Sequence, residues 1–295
     1  MMLYDMPLYR PPSEGSNLII QVTYGCSFNE CSFCSMYKSK SYRVRPMGDI
    51  FTDIEDAARD WPQAHRVFLA DGDAMGLDYD DLKQILLKLT ETFPNLQRVS
   101  AYATPVNLLR KTAQELEQLR ALRLSLVYVG IESGSREILK RVTKGASPAS
   151  IEKALARARD ADIKVSATVI LGLGGRTLWR EHIMGTVELI NKTAPTYLST
   201  LLLGLEEAQS PRFMQRFARL GGAFEWQDET DTLEELNQLV SGLDPVSPVI
   251  FRSNHASNSL ALAGNLPKDK SRLLAEIEHA LSGETALRPH YIRGF

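Results

Sequence analysis

Residues 18–34 read Leu18-Ile-Ile-Gln-Val-Thr-Tyr-Gly-Cys26-Ser-Phe-Asn-Glu-Cys31-Ser-Phe-Cys34, an aliphatic and β-branched run, a glycine, and then three cysteines within nine residues. The run predicts a strand over Leu18–Thr23, and the glycine ends it, so the cysteines fall on the loop at the strand's carboxyl end. Three thiolates from one loop can hold three corners of a cubane [4Fe–4S] cluster and leave the fourth iron open to a cofactor or substrate. The same thiols could hold zinc with a distant fourth ligand such as His255, although closed zinc sites usually come as two paired half-sites and no second pair is present. The chain has 3 cysteines in all. A disulfide framework is therefore not expected, and neither is a second cysteine-held cluster.

Working outward from that strand, short aliphatic runs alternate with longer amphipathic stretches. Further strands are expected at Arg66–Ala70, Arg98–Ala101, Ser125–Gly130, Val165–Leu171 and Tyr197–Leu202. Helices are expected at Asp49–Asp60, Tyr79–Phe93, Val106–Leu119, Ser135–Arg141, Ser147–Asp160 and Thr177–Lys192. Asp78 and Ser147-Pro148 serve as start signals, with Glu152 supporting a first turn. Six strands with intervening helices predict an α/β fold, a partial (β/α)6 TIM-type barrel, over residues 1–205. Beyond 205 the alternation fades into helical stretches near Pro211–Leu220, Glu229–Gly242 and Lys268–Ser282. Residues 206–295 are thus expected to be a C-terminal, mostly helical extension that closes the barrel.

Composition narrows the function classes. Of 295 residues, 34 are Lys or Arg and 36 Asp or Glu, for a formal charge of −2, so a polyanionic partner is not announced and nucleic acid is disfavoured. The longest apolar runs, around Leu124–Ile131 and Val165–Leu173, are too short to span a bilayer, and no membrane association is expected. The first fifteen residues lack the basic and apolar segments of a secretion signal, which points to the cytoplasm. Tyr37, Lys38, Tyr42, Arg43 and Arg45 could form a nucleic-acid patch or cover the cysteine loop and line its entrance.

The cysteine loop resembles that of the radical S-adenosylmethionine (radical SAM) superfamily, with Phe33 as the aromatic before the third cysteine. It departs by one insertion: four residues, not three, separate Cys26 from Cys31. The resemblance covers residues 16–205 and is carried by further motifs at strand carboxyl ends, where ligands of parallel α/β folds sit. Asp71-Gly72-Asp73 resembles the family's short motif for the SAM ammonium. Gly130-Ile131-Glu132-Ser133 resembles the SAM segment of the oxygen-independent coproporphyrinogen oxidase-like branch, with Glu132 as ribose partner. Tyr102 stands where that branch carries a ribose-contacting acid. Lys144, or its neighbour Arg141, stands where the branch has a basic partner for the SAM carboxylate. Ile170 and Gly172 resemble the adenine platform. The Gly172–Gly175 turn could instead cradle a phosphate, but it lacks a full dinucleotide spacing and a Walker lysine.

The resemblance implies two cofactors, a [4Fe–4S] cluster on Cys26, Cys31 and Cys34 and S-adenosylmethionine, and an electron donor of the flavodoxin or ferredoxin type. The implied chemistry is reductive SAM cleavage to a 5′-deoxyadenosyl radical that takes hydrogen from an unidentified substrate. The rival is a non-catalytic carrier like the haem chaperones, although Met36 stands where that branch has a fourth cysteine. Independently of the resemblance, Arg252, Asn254, His255 and Asn258 cluster between two prolines and are candidate substrate contacts in the extension.

Overall fold

A computed structural model describes residues 4–294. In chain order the elements are β1 (Leu18–Gln21), β2 (Thr23–Tyr24), β3 (Arg43–Val44), α1 (Met47–Asp60), β4 (Arg66–Ala70), α2 (Tyr79–Thr92), β5 (Arg98–Ala103), α3 (Pro105–Arg110), α4 (Ala113–Ala121) and β6 (Leu124–Glu132). They continue with α5 (Arg136–Arg141), α6 (Pro148–Asp160), β7 (Lys164–Leu171), α7 (Gly175–Thr193), β8 (Tyr197–Leu202), α8 (Ser210–Ala218), α9 (Glu229–Gly242), β9 (Val249–Ser253), β10 (Leu262–Leu266) and α10 (Lys270–Leu281). The fold is α/β with a mostly parallel eight-stranded sheet. Among the described residues no helix is long and apolar enough to cross a membrane.

The chain divides into two compact units. The first holds the described residues through Asn29, Met36–Val129 and Lys153–Val165; the second holds Glu30–Ser35, Gly130–Glu152 and the chain from Ser166 onward. In the first unit β1, β4, β5 and β6 run parallel, with Leu18 opposite Val67, Arg66 opposite Arg98 and Ala101 opposite Val127. Parallel neighbours need crossover helices, and the sequence supplies amphipathic ones. In α2 the buried stripe is Leu82, Ile85, Leu86 and Leu89, each side chain contributing roughly 1.5–3 kcal/mol by leaving water. β2 and β3 form a short antiparallel ribbon.

In the second unit β7, β8 and β9 run parallel and β10 returns antiparallel to β9. Its core gathers Ile138, Val142, Leu173, Leu203, Phe213, Phe217 and Phe224, with Phe33 and Ile170 packed against it. All six expected strands are present. The segment beyond 205 carries β9 and β10 besides its three helices, because Val249–Ser253 and Leu262–Leu266 alternate buried and less buried side chains in the manner of half-covered strands.

Local signals differ in two places. The single helix expected over Val106–Leu119 is two, because Thr112 forms a capping box with Glu115 and starts α4 afresh. Asp78 precedes α2 but makes no side-chain cap bond. Before α6 the cap is Ser147, whose Oγ accepts from the Ser150 N–H at 3.2 Å.

Candidate functional site

In the first unit the residues at the end of β4 brace the loop that carries Cys26. Buried Asp71 receives on Oδ2 the Gln21 amide at 3.2 Å, the Gly25 N–H at 3.1 Å and the Lys40 ammonium at 2.8 Å. Its own N–H donates to Thr23 Oγ1 at 3.1 Å. Asp73, also buried, accepts from the hydroxyl of Ser27, next to Cys26. Burial pushes the Asp73 carboxyl above the ordinary range, opposed by Ser27, Asn107 and the Lys111 charge. Oδ1 of both aspartates is buried without a hydrogen-bond partner among the described residues. Between them Gly72 lies flat against the Tyr37 ring, which a Cβ would overlap. Burial, followed by the charges of Asp71, Tyr102 and Cys26, raises the Tyr37 phenol, and burial with Asp73 and Cys26 raises that of Tyr42 to about 12. Both phenols stay neutral.

Tyr102 joins an aromatic cluster, edge-on to Phe68 at 5.2 Å and to Tyr128 at 6.1 Å. Tyr37 and Arg45 are buried, Arg45 on the Gln21 carbonyl and Asp53 at 2.6 Å each, while Arg43 is exposed.

In the second unit the segment bearing Cys31 and Cys34 is pinned by the residues that flank the two cysteines. The Ser32 N–H donates to the Val142 carbonyl at 2.9 Å, the Gln209 amide donates to the Ser32 carbonyl at 2.6 Å, and the Ser35 hydroxyl donates to Glu206 at 2.7 Å. Glu132, at the end of β6, is held at φ +60, in the left-handed region, and pairs with Lys144 at 2.8 Å. Burial pulls the Lys144 ammonium down, but Glu132, Cys31 and Cys34 outweigh it and raise it above the usual lysine range. Gly130 makes room for the pair: a Cβ there would fall on Glu132 Oε1 and 3.1 Å from Lys144 Nζ. Arg141, the alternative basic partner, instead caps the end of α8 through the carbonyls of Phe217, Leu220 and Gly221.

Sequence reasoning missed a buried polar chain in this unit. His182 Nε2 sits 3.0 Å from the Ile170 carbonyl and Nδ1 2.7 Å from Ser133 Oγ. A carbonyl only accepts, so the ring carries its proton on Nε2 and Nδ1 accepts from the Ser133 hydroxyl. Glu235 Oε1 lies 3.5 Å from Nε2, and Oε2 accepts from the Gly172 N–H at 2.9 Å. Gly172 itself has φ +80, a conformation glycine adopts without strain. The partners of His182 and Glu235 lie 12 to 63 residues away, so no local pattern signals them.

The four candidate substrate contacts scatter. Asn258 spends its amide on the Thr200 carbonyl at 2.8 Å and Ser253 at 3.1 Å. Arg252 lies within β9 and donates to the Phe251 carbonyl, His255 is tied to Ser257 at 2.9 Å, and Asn254 is exposed. None of them lines the cavity of about 380 Å³ that opens at the carboxyl ends of β7 and β8.

The sequence profile of the Radical SAM superfamily matches residues 20–190, more than half the chain. The chain belongs to the radical SAM superfamily. A candidate methylthiotransferase from Methanocaldococcus jannaschii is 30% identical over 167 residues, covering 54% of this chain and 36% of that one. The tRNA-2-methylthio-N(6)-dimethylallyladenosine synthase of Thermotoga petrophila is 26% identical over 198 residues, covering 64% and 43%. The chain thus spans less than half the length of these curated relatives. Coproporphyrinogen III oxidase of Escherichia coli shares the fold with a TM-score of 0.57 and 16% identity, over 76% of this chain and 51% of that one. Methylornithine synthase does so with 0.54 and 14%, over 95% and 76%. The mostly parallel α/β architecture is accordingly the partial TIM-type fold of radical SAM proteins.

The superfamily is one of SAM-cleaving enzymes, and membership brings a [4Fe–4S] cluster and SAM as cofactors. Among the described residues no group of three or more His, Cys, Asp or Glu side chains is set out as a metal-binding cluster. The fit to the cofactors rests on the donors themselves. Three unoxidised, half-buried thiols suit iron, the cationic Lys144 feels two of them, and the orphaned Asp71 and Asp73 oxygens suit an ammonium.

The His182 and Glu235 pair gives the radical SAM chain a pH signature. Burial lowers His182 to about 4 from 6.5, and burial raises Glu235 to about 8 from 4.5 against the pull of Gly172 N–H and the neighbouring Gln227. Between about pH 4.5 and 6.5 the native state holds one proton on Glu235 and the unfolded state one on His182, so the two cancel. From about 6.5 to 8 only Glu235 counts; the native state binds more protons, and stability falls as pH rises. The urea midpoint of the wild type is expected to drop across that window, and to drop less in Glu235→Gln. An equal drop in both would remove Glu235 as the cause.

Proposed function

We propose that this chain holds a [4Fe–4S] cluster on Cys26, Cys31 and Cys34 and cleaves SAM reductively, directing the resulting radical at a C–H bond of an unidentified substrate. The observation that carries this reading is the set of three thiols on one loop inside the region matched to the superfamily. When bound, the cofactors supply electron transfer to the sulfonium and a 5′-deoxyadenosyl radical.

The chain's own residues bind and orient. The orphaned oxygens of Asp71 and Asp73 would take the SAM ammonium, while Asp71 Oδ2 keeps the cysteine loop in place through Gly25 and Lys40. Lys144 bonds Glu132 through Oε1, which leaves Oε2 for a ribose hydroxyl and the ammonium face for the SAM carboxylate. Tyr102 would contribute an aromatic edge. Ile170 and Gly172 would meet adenine, and Ser133 acts through His182, whose two ring nitrogens tie the segment after β6 to the end of β7. On this reading residues 1–205 are the cofactor core and 206–295 shield it. A flavodoxin- or ferredoxin-like donor and a cytoplasmic setting suit an oxygen-sensitive cluster.

Anaerobically reconstituted protein given dithionite and SAM is expected to release 5′-deoxyadenosine and methionine. Tight SAM binding without cleavage under strong reduction would overturn this reading in favour of a carrier.

A further inference from the structure

In the second unit β7, β8 and β9 present two unlike faces. One is closed and mostly apolar: Ala167 and Val169 on β7, Leu198 on β8 and Phe251 on β9 are fully buried. In a partial barrel the helices cover the outer face, so the other face is the interior, which parallel barrels ordinarily fill with branched aliphatic side chains. Here that face carries Ser166 and Thr168 on β7, Tyr197 and Ser199 on β8 and Arg252 on β9, all but Ser166 half-buried. Hydroxyls and a guanidinium in place of packed aliphatics make this wall polar.

The strand register brings part of this wall into line. Thr168 lies opposite Ser199 and Ser199 opposite Arg252, so the three share one row across the parallel strands. With neighbouring strands about 4.8 Å apart, the row is about 10 Å wide, and the long Arg252 side chain faces two short hydroxyl side chains along it. Ile170, proposed above to meet adenine, lies two residues further along β7, which is about 6.6 Å up the strand. A group bound at the row would sit one side-chain layer beneath the nucleoside.

The fold does not use these donors itself. The hydroxyls of Ser166, Thr168, Tyr197 and Ser199 take part in no hydrogen bond among the described residues. Arg252 donates through Nη1 to the Phe251 carbonyl at 3.0 Å, and no carboxylate pairs with it among the described residues. Other arginines of this unit are spent on structure: Arg141 on the carbonyls of Phe217, Leu220 and Gly221, and Arg176 on Asp228 and Asp231. A guanidinium without a counter-ion, in one row with two hydroxyls, has the composition of an oxyanion site, since its fork matches a carboxylate or a phosphate and the hydroxyls can donate to the same group.

We propose that the row of Thr168, Ser199 and Arg252 binds an oxyanion, a carboxylate or a phosphate, of the molecule on which the radical acts. The substrate is then an anionic molecule held by its charged end beneath the nucleoside. That the oxyanion belongs to the substrate rests on the function proposed above; its binding at the row does not.

The test is a titration of the reconstituted full chain, with and without saturating SAM, with inorganic phosphate followed by phosphorus NMR line broadening and with trifluoroacetate followed by fluorine NMR. Saturable broadening is expected in the presence of SAM, and the tighter of the two probes names the group as phosphate or carboxylate. Arg252→Met should weaken that probe at least about tenfold, and Arg252→Lys should recover part of the loss. Ser199→Ala and Thr168→Val should each weaken it about two- to tenfold, at a urea midpoint close to that of the wild type. If Arg252→Met fails to fold, the two hydroxyl variants carry the comparison. Equal binding to Arg252→Met and the wild type would mean an adventitious ion only and would overturn the proposal. Absence of saturable binding would overturn it too, as would loss of the probe when SAM is added, since the row would then hold SAM's own carboxylate. In each of those cases release of 5′-deoxyadenosine by the wild type leaves the proposed function standing. Arg252-dependent binding by a protein that releases no 5′-deoxyadenosine would reject that function and keep the oxyanion site.

Discussion

Replacing any one of Cys26, Cys31 or Cys34 by Ala is expected to take the iron of anaerobically reconstituted protein from about four per chain to near zero. The brown colour and the release of 5′-deoxyadenosine should go with it. The reasoning separates ligation from folding. Around Cys31 and Cys34 the chain is fixed by Ser32 on Val142, Gln209 on Ser32 and Ser35 on Glu206, and around Cys26 by Gly25 and Ser27 on the two aspartates. None of these bonds uses sulfur. The far-UV circular dichroism and the unfolding midpoint of the apo variants should therefore match the apo wild type. Four irons retained by the triple variant would reject the cysteine assignment, and a collapsed fold in the single variants would show the thiols to be packing groups.

The division between what the sequence disclosed and what it hid follows the range of the interactions. Strands such as Arg66–Ala70 and Tyr197–Leu202 were legible because their apolar runs are local and their ends carry turn residues. β10 was not, since Leu-Ala-Gly-Asn-Leu holds three poor strand formers and owes its conformation to pairing with β9. β9 was hidden by the polar residues that follow it, with which Arg252 was grouped as a candidate substrate contact. The break between α3 and α4 was concealed because Leu108, Leu116 and Leu119 keep a helical spacing through it, while the Thr112 cap that makes the break is a single residue.

Motifs singled out Asp71, Asp73, Glu132 and Gly172 because each lies at or just past the carboxyl end of its own strand, where ligands of parallel folds sit. Their partners were invisible. Lys40 reaches Asp71 across 31 residues and Glu235 reaches Gly172 across 63, and nothing near either residue announces the contact. Gln227 looked like one more polar loop residue until the structure buried both ends of its amide. The polar segment near His255 illustrates the converse: dense hydrogen-bonding side chains can be consumed within the fold, Asn258 by the Thr200 carbonyl and Ser253 and His255 by the Ser257 N–H.

The second large effect is expected at the Glu132 and Lys144 pair, where stability and SAM binding can be pulled apart. Both side chains are mostly shielded from water, so removing one partner leaves a charge with nothing to offset its lost hydration, at a cost of about 3–5 kcal/mol. Lys144→Met should thus destabilise the protein strongly by stranding Glu132. Glu132→Gln should do so by stranding Lys144, and Gly130→Ala by driving a methyl into the Glu132 carboxylate. The double variant Glu132→Gln with Lys144→Met removes both charges and should recover most of the lost stability. If the pair serves only the fold, recovery of stability restores SAM affinity too. If Glu132 and Lys144 hold the ribose and carboxylate of SAM, the double variant should remain at least tenfold weaker for SAM than the wild type despite its restored urea midpoint. A double variant with wild-type SAM affinity would remove both residues from the cofactor site.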